Sequence, residues 1–319
     1  MSRIKQEDTH GRFPRIAVLM ATRDGEEFIG EQLVSIAAQE GVTVELWISD
    51  DGSSDRTLEK IADFMAAHPA LPVRLLKGPQ AGFVRNFLSM VCNRDVEAPY
   101  FAFSDQDDVW HPDKLRVAVD AIAHVPPGVP ALYISRTRTV GNDGEIKGCS
   151  AQFRRAPSLE NALVQSIGGG NTMVFDDAVR RLLTCAGADV DVQSHDWWTY
   201  LATTSCGGFV VYDPEPHIDY RQHERNIVGE NSSLTARILR VNMLLKGQFR
   251  DWLDRNLDAL QRIEPQMTPQ ARAKVEAFRA LRKLRSPLAR LRELKRLGLY
   301  RQTPFGTISM NVAAFLNRL

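Results

Sequence analysis

Carboxylates crowd one short stretch of the chain: FAFSDQDDVWHP (101–112) sets Asp105, Asp107 and Asp108 within four positions, directly after an apolar run and ahead of a proline. Like charges this close repel one another unless a cation joins them. Carboxylates in a strand-to-loop turn are hard oxygen ligands of the kind Mg²⁺ or Mn²⁺ takes, one or two from protein and the rest from phosphate and water. A solvated acidic turn is the plain alternative, and Asp113 could instead cap the helix KLRVAVDAI that follows. A calcium loop of the EF-hand type is disfavoured, because the spacing lacks the Gly at position 6 and the Glu at position 12. Three other stretches carry candidate chemistry: Asp50 and Asp51 close VELWISDD, SHDWW (194–198) contains Asp196, and HIDYRQHERN (217–226) gathers imidazoles and guanidiniums.

The elements that must hold these groups read as strands alternating with helices. IAVLM (16–20) is a short apolar run, and after Arg23-Asp24-Gly25 the residues Ile29, Leu33, Ile36 and Ala37 recur at helical spacing. VELWISD (44–50) predicts a second strand, DGSSD its turn with Ser54 or Asp55 as helix cap, and Leu58, Ile61, Ala62 and Met65 the buried stripe of the next helix. VRLLK (73–77) and YFAFS (100–104) supply a third and a fourth strand. Both acidic clusters therefore fall just past strand ends, where open α/β sheets bind ligands. Beyond Pro126-Pro127 a mixed region follows, with ALYIS (131–135), a Gly-Asn-Asp-Gly turn at 141–144, the glycine-rich SIGGGNTMVF (166–175) and FVVYD. From about Leu234 onward the pattern is helical and rich in Leu and Arg, interrupted by Pro265, Pro269, Pro287 and Pro304.

At 319 residues the chain can bury a substantial core. Four widely spaced cysteines, with no CxxC, argue for a reducing compartment and against a disulfide framework. No apolar run approaches the roughly 20 residues of a spanning helix, and the polar start is unlike a secretion signal, so a cytoplasmic protein is expected. The net charge of +1 conceals a division: residues 236–319 carry 18 Lys+Arg against 6 Asp+Glu, net +12, which leaves 22 against 33, net −11, for residues 1–235. Nucleic-acid binding is disfavoured by the acidic front and the lack of a recognition motif.

Taken in order, IAVLMATRDGEEFIGEQLVSIAAQ, ELWISDDGSSDRT, GFVRNF and YFAFSDQDDVWHPDKL resemble the nucleotide-sugar-binding half of family 2 glycosyltransferases. HDWW and YRQHERNIVG extend the resemblance to bacterial rhamnosyltransferases of O-antigen and cell-wall polysaccharide synthesis, over roughly residues 14–230. The resemblance implies a GT-A fold, a Rossmann-like mixed α/β sheet flanked by helices, over 14–232, with a basic helical C-terminal region over 233–319. By position, it implies that Asp51 accepts the pyrimidine N3–H of the donor, with Asp50 free to hold the turn. Thr22 and Arg23 would line the same pocket, although Thr22-Arg23-Asp24 stands where Thr-Tyr-Asn is commoner. Arg85 and Asn86 would approach the nucleotide. Asp105 and Asp107 would form the metal-binding pair with Asp108 in support, and His223 would reach the diphosphate or the Mg²⁺ or Mn²⁺ ion.

Asp196 matches the catalytic acid position, so it would serve as general base for an acceptor hydroxyl in one inverting displacement, while a metal stabilises the departing diphosphate. Gly169, Gly170, Asn171 and Thr172 would border donor sugar and acceptor. Trp197 or Trp198 could stack on a sugar, but consecutive tryptophans on a helix point apart, so at least one belongs to the core. The implied donor is dTDP-rhamnose and the implied acceptor a glycan or a polyprenyl-diphosphate-linked sugar. UDP-hexose or UDP-N-acetylhexosamine transfer, a non-catalytic binding protein and a Mg²⁺-dependent phosphatase or nucleotidyltransferase stand as alternatives. The basic C-terminal helices, with Phe249, Trp252 and Phe278, would lie on an anionic membrane surface, pack back on the catalytic domain or form a dimer interface.

Overall fold

The computed structural model describes residues 13–222 and 247–319. Its first half repeats a strand–helix unit: β1 (Arg15–Thr22), α1 (Ile29–Ala37), β2 (Thr43–Asp50), α2 (Thr57–Ala67), β3 (Val73–Lys77), α3 (Phe83–Val91) and β4 (Tyr100–Ser104). There follow β5 (Val109–Trp110), α4 (Lys114–Ile122), β6 (Ala131–Val140), β7 (Ile146–Cys149), α5 (Leu159–Ala162), a 3-10 turn (Gly170–Thr172), β8 (Val174–Asp176), α6 (Asp177–Ala186), α7 (His195–Ser205) and β9 (Phe209–Arg221). Among the described residues one sheet runs in the order β3-β2-β1-β4-β8-β6-β9-β5, with β7 paired to β6. The strands β3, β2, β1 and β4 are parallel, and β8 enters antiparallel between β4 and β6.

Strand β1 is at the centre of the fold, and its sequence says why. Ile16 to Met20 are all fully buried; Ala17 and Leu19 join the hydrophobic cluster on one face of the sheet, while Ile16, Val18 and Met20 join that on the other. A strand covered on both faces needs an unbroken apolar run rather than alternation. The pattern in α2 is rolled from the expected one. Thr57, Ile61 and Phe64 are buried, whereas Leu58 is 41% exposed and Ala62 is exposed, so the stripe predicted from Leu58 is corrected to one centred on Ile61. The cap expected at Ser54 or Asp55 is corrected to Arg56, which has no side-chain cap bond, while Asp55 steadies the entry by accepting the Thr57 N–H at 3.0 Å. Asp113 precedes α4 without capping it through its side chain.

The C-terminal helices are α8 (Gln248–Gln261), α9 (Pro269–Lys283), α10 (Pro287–Leu297) and α11 (Pro304–Phe315). Their prolines open helices rather than break them. Thr268, Ser286 and Thr303 each cap the following helix by accepting a backbone N–H, and the proline occupies a first-turn position whose missing donor costs nothing. Leu253, Leu257, Leu260 and Phe278 belong to the same buried cluster as Phe87, Trp197 and Trp198 of the sheet-bearing part. The membrane expectation for the aromatic residues is thereby corrected: Phe249 and Phe278 are buried, and Trp252 packs against that core. No helix among the described residues is long and apolar enough to cross a membrane. The boundary drawn between 232 and 233, and His223, lie outside the described residues.

Candidate active site

Sheet topology brings the acidic clusters together. Strands β2, β1 and β4 are adjacent and parallel, so Asp50 and Asp51, Thr22 and Arg23, and Asp105 to Asp108 all emerge at the same edge. The two neighbours Asp50 and Asp51 divide the work. Asp50 holds its own turn, accepting the backbone N–H of Gly52 and Ser53 at 3.1 and 3.0 Å and the Ser53 hydroxyl at 2.5 Å. Asp51, 4% exposed, accepts the backbone N–H of Gln80 at 2.6 Å and of Gly82 at 3.0 Å, and so fixes the loop ahead of α3. Gly82 has φ of +88°, a conformation that favours glycine.

Asn86 is buried beside this loop with its side chain committed to β2: its amide donates to Ser49 O at 2.8 Å and its oxygen accepts the Ser49 hydroxyl at 2.5 Å. Arg85, next to it at the start of α3, has its guanidinium 3.5 Å from Ala188 O. Sequence reasoning passed over Gln106, the middle residue of the Asp-x-Asp pair. Its amide oxygen accepts from the Thr22 hydroxyl at 2.5 Å and the Arg23 N–H at 2.9 Å, and its nitrogen donates to Arg23 O at 3.0 Å. The loops after β1 and β4 are thus tied into one surface.

Charge in the acidic loop is poorly compensated. Burial, reinforced by Asp107 and Asp196, pushes the Asp105 carboxyl up to about 7. Burial together with Asp107 and Asp105 lifts Asp108 well above the usual carboxylate range, against the opposing pull of Asn171 and Lys114. Asn171, in the 3-10 turn, donates to Asp108 Oδ2 at 2.7 Å, while Oδ1 is buried with no hydrogen-bond partner among the described residues. Lys114 is fully buried at 3.7 Å over the Trp110 ring, and burial pulls its ammonium down to about 7. Mutually repelling carboxylates with an unsatisfied oxygen fit a divalent cation, whose charge would return these groups to their ionised form.

The Asp196 carboxylate reaches this cluster from the first turn of α7, where Oδ1 accepts the Trp197 N–H at 2.6 Å and Ser194 is the N-cap. Anionic groups are favoured at a helix N-terminus. Next to it, His195 is 4% exposed, stacked on Phe87 at 4.0 Å between ring centroids and edge-on to Phe103 at 4.8 Å, with neither ring nitrogen hydrogen-bonded among the described residues. Desolvation drops its pKa to about 4, so the ring is neutral. Gly170 is pressed against it, since a Cβ there would lie 2.1 Å from His195 Nε2. The glycine-rich turn is therefore built for close packing at this point, and Thr172 braces it by donating to Gly169 O at 2.8 Å.

Trp197 is corrected from sugar platform to core residue. It is 6% exposed, its indole N–H donates to Ala162 O at 2.7 Å, and its ring stacks on Phe249. Trp198 is fully buried. Arg221, the arginine of the Tyr-Arg-Gln-His motif, is the second residue that sequence reasoning missed. Its buried guanidinium donates to Asp107 O at 3.3 Å, Asn142 O at 3.0 Å and Glu31 Oε2 at 2.6 Å, and so grips the acidic loop from behind. Only its place in a motif-like run singled it out, because its partners are 79 to 190 positions away.

The family model described as glycosyl transferase family 2 matches residues 17–182, more than half of the chain. The chain belongs to glycosyl transferase family 2. A curated relative, dTDP-rhamnosyl transferase RfbG of Shigella flexneri, is 29% identical over 254 residues, covering 76% of this chain and 84% of the relative. Among solved structures, a mannosyltransferase from Pyrobaculum calidifontis in complex with GDP-Man and Mn²⁺ superposes with a TM-score of 0.52 at 19% identity, over 96% of this chain and 86% of that one. TarS of S. aureus in complex with UDP-GlcNAc gives a TM-score of 0.51 at 16% identity, over 90% and 93%. At these identities the superpositions speak for the fold, which is GT-A with a helical C-terminal region. This family 2 chain is a glycosyltransferase, and the matched span holds every carboxylate described above except Asp196.

Proposed function

We propose that this glycosyltransferase moves L-rhamnose from dTDP-rhamnose, with inversion and with a divalent cation, onto a glycan or polyprenyl-diphosphate-linked acceptor in bacterial surface polysaccharide synthesis. The observation that carries the donor is the similarity to the Shigella flexneri rhamnosyl transferase, which runs through most of both chains. Supporting the chemistry is the convergence of Asp105, Asp107 and Asp196, close enough for Asp196 to raise the Asp105 carboxyl.

In this reading Asp51 receives the nucleobase N3–H through the lone pairs left beside its two backbone donors, and Thr22 and Arg23 form the wall tied down by Gln106. Arg85, at the start of α3, is assigned to the nucleotide. Asn86 contributes by holding that helix on β2. Asp105 and Asp107 would hold Mg²⁺ or Mn²⁺, with His223 as a further ligand and Asp108 in support. A divalent cation bound there supplies Lewis-acid stabilisation of the diphosphate. Asp196 takes the proton of the attacking acceptor hydroxyl: its carboxylate is mounted on the first turn of α7 beside the acidic loop, where a general base within reach of the hydroxyl is needed. Direct attack needs a single base and no covalent sugar–enzyme intermediate, so the anomeric centre inverts. Gly169, Gly170, Asn171 and Thr172 border the sugars, and the close fit of Gly170 on His195 keeps that wall in place. Membrane contact at the acceptor stage is supported by Phe305, Ile308, Val312 and Phe315, which line one exposed face of α11 next to basic helices.

A transfer assay with purified protein, Mn²⁺ and a panel of dTDP-, UDP- and GDP-sugars tests the proposal. Release of dTDP from dTDP-rhamnose, with rhamnose recovered on a glycan acceptor in the opposite anomeric form, is the expected outcome. Turnover of a UDP-hexose in preference to dTDP-rhamnose would replace the donor, and retention of configuration would remove the single-base mechanism.

A further inference from the structure

The edge of the sheet formed by β5 and β9 carries a cluster that the glycosyl-transfer reading does not use. We propose that His111, Asp113 and His217 form a second cation site, of the class that takes Zn²⁺, which fastens the chain just past the acidic loop to β9. One ligand atom from each residue lies within 4.8 Å of the other two. His217 Nδ1 is 3.1 Å from Asp113 Oδ1, close to the separation of about 3.3 Å that two ligands adopt around a tetrahedral ion with bonds of about 2.0–2.1 Å. Two imidazoles and one carboxylate suit Zn²⁺ or its transition-metal neighbours, whereas the all-oxygen acidic loop suits Mg²⁺ or Mn²⁺.

The surroundings strengthen the assignment. His217 Nε2 faces Asp213 Oδ2 at 3.6 Å, and His111 Nε2 faces Asp219 Oδ1 at 3.1 Å. Both outer carboxylates are themselves held: Asp219 accepts from Arg138 at 2.5 and 2.7 Å, and Asp213 accepts the Tyr133 hydroxyl at 2.7 Å. A carboxylate behind a ligating imidazole fixes its tautomer and orientation and raises its basicity. The scaffold is in place without an ion, because β5 pairs with β9 and the His111 N–H donates to His217 O at 3.1 Å. The three side chains are partly exposed, at 23% for His111, 40% for Asp113 and 15% for His217, so an ion can enter from solvent. An ion here joins positions 104 to 106 residues apart in the chain. It would stiffen the frame from which Arg221, at the end of β9, holds the Asp107 carbonyl.

The test uses the full chain, stripped with chelator and titrated with Co²⁺ alone and then with Zn²⁺. One equivalent of Co²⁺ is expected to give the strong visible absorption of a tetrahedral site, Zn²⁺ to abolish it by displacement, and Zn²⁺ to raise the unfolding midpoint. His111→Gln and His217→Gln should eliminate the absorption, Asp219→Asn should weaken Co²⁺ binding by about 10–100-fold, and Asp107→Asn should leave it intact. Circular dichroism of the metal-free variants checks that they fold; should the histidine variants fail, loss of the absorption in Asp113→Asn carries the decision. Absorption lost in Asp107→Asn and kept in His217→Gln would move the ion to the acidic loop and overturn the proposal. So would the absence of saturable Co²⁺ absorption, which would leave the cluster as imidazole–carboxylate ion pairs.

Discussion

The acidic loop after β4 and the far edge at β5 and β9 are both rich in aspartate, yet the chain treats them in opposite ways. At the edge the three aspartates of the cluster have partners: Asp219 is forked by Arg138 and touched by His111, and His217 stands between Asp113 and Asp213. Asp219 is accordingly lowered, since the hydrogen bonds from Arg138 and His111 outweigh its burial. In the loop burial is reinforced by neighbouring carboxylates, and Asp105 and Asp108 are raised. Charge neutralised from within the chain supports the frame, while charge left for something outside the chain marks the place where a ligand's cation or proton must arrive.

The contrast can be broken first at Asp196. Asp196→Asn keeps the size and the helix position but removes the base, so kcat should fall by about 10²–10⁴-fold with the donor KM near that of the parent, as measured by steady-state kinetics. A comparable loss of donor affinity would make Asp196 part of the donor pocket instead.

A second, smaller effect lies in pH. Asp105 is raised from its ordinary 3.8 to about 7, so between those values the folded chain holds a proton that the unfolded chain has released. Stability from this group is complete below about pH 3.8 and is lost as pH rises through about 7. In metal-free buffer the thermal unfolding midpoint of the parent, read relative to that of Asp105→Asn, should therefore fall as pH rises from 5 to 8, and Mn²⁺ should close the gap. The depressed Lys114 and His195 act in the opposite sense but are common to both proteins. A relative midpoint that does not change with pH would assign the pH dependence to other groups.

The smallest effect belongs to the edge. Arg138→Met in metal-free buffer removes two charged hydrogen bonds at a partly exposed site, and about 1–2 kcal/mol of stability should go with them. Denaturant unfolding reads the loss. Turnover should stay within about twofold of the parent on that scale, and a large fall in kcat would dissolve the distinction between frame and site.

How much of this was legible in the sequence depends on the reach of each interaction. The strand 100–104 and the helix 114–122 coincide with the runs that announced them, because burial on both faces or on one stripe leaves a local pattern; the strand 73–77 also coincides, although its residues are half-buried or exposed. The clustering of Asp51, Asp105 and Asp107 followed from strand ends in a parallel sheet. Gln106 and Arg221 were not legible, since what they hold lies 79 to 190 positions away and a lone Gln or Arg has no periodicity. The same holds for Trp197, whose burial depends on Phe249 in α8 and on Ala162, neither of which its own helix foretells. In α2 the stripe was misplaced because Leu58 and Phe64 offer similar apolar signals, and contacts with the sheet and α1 decide between them.

One contact of a few ångströms has a bearing on how such chains diverge. The Gly170 backbone and the His195 ring fill a single volume, with no room for even a methyl group between them. A lineage that acquires a side chain at 170 must first have surrendered the imidazole, so the order in which these two changes can be inherited is fixed by steric exclusion rather than by chemistry.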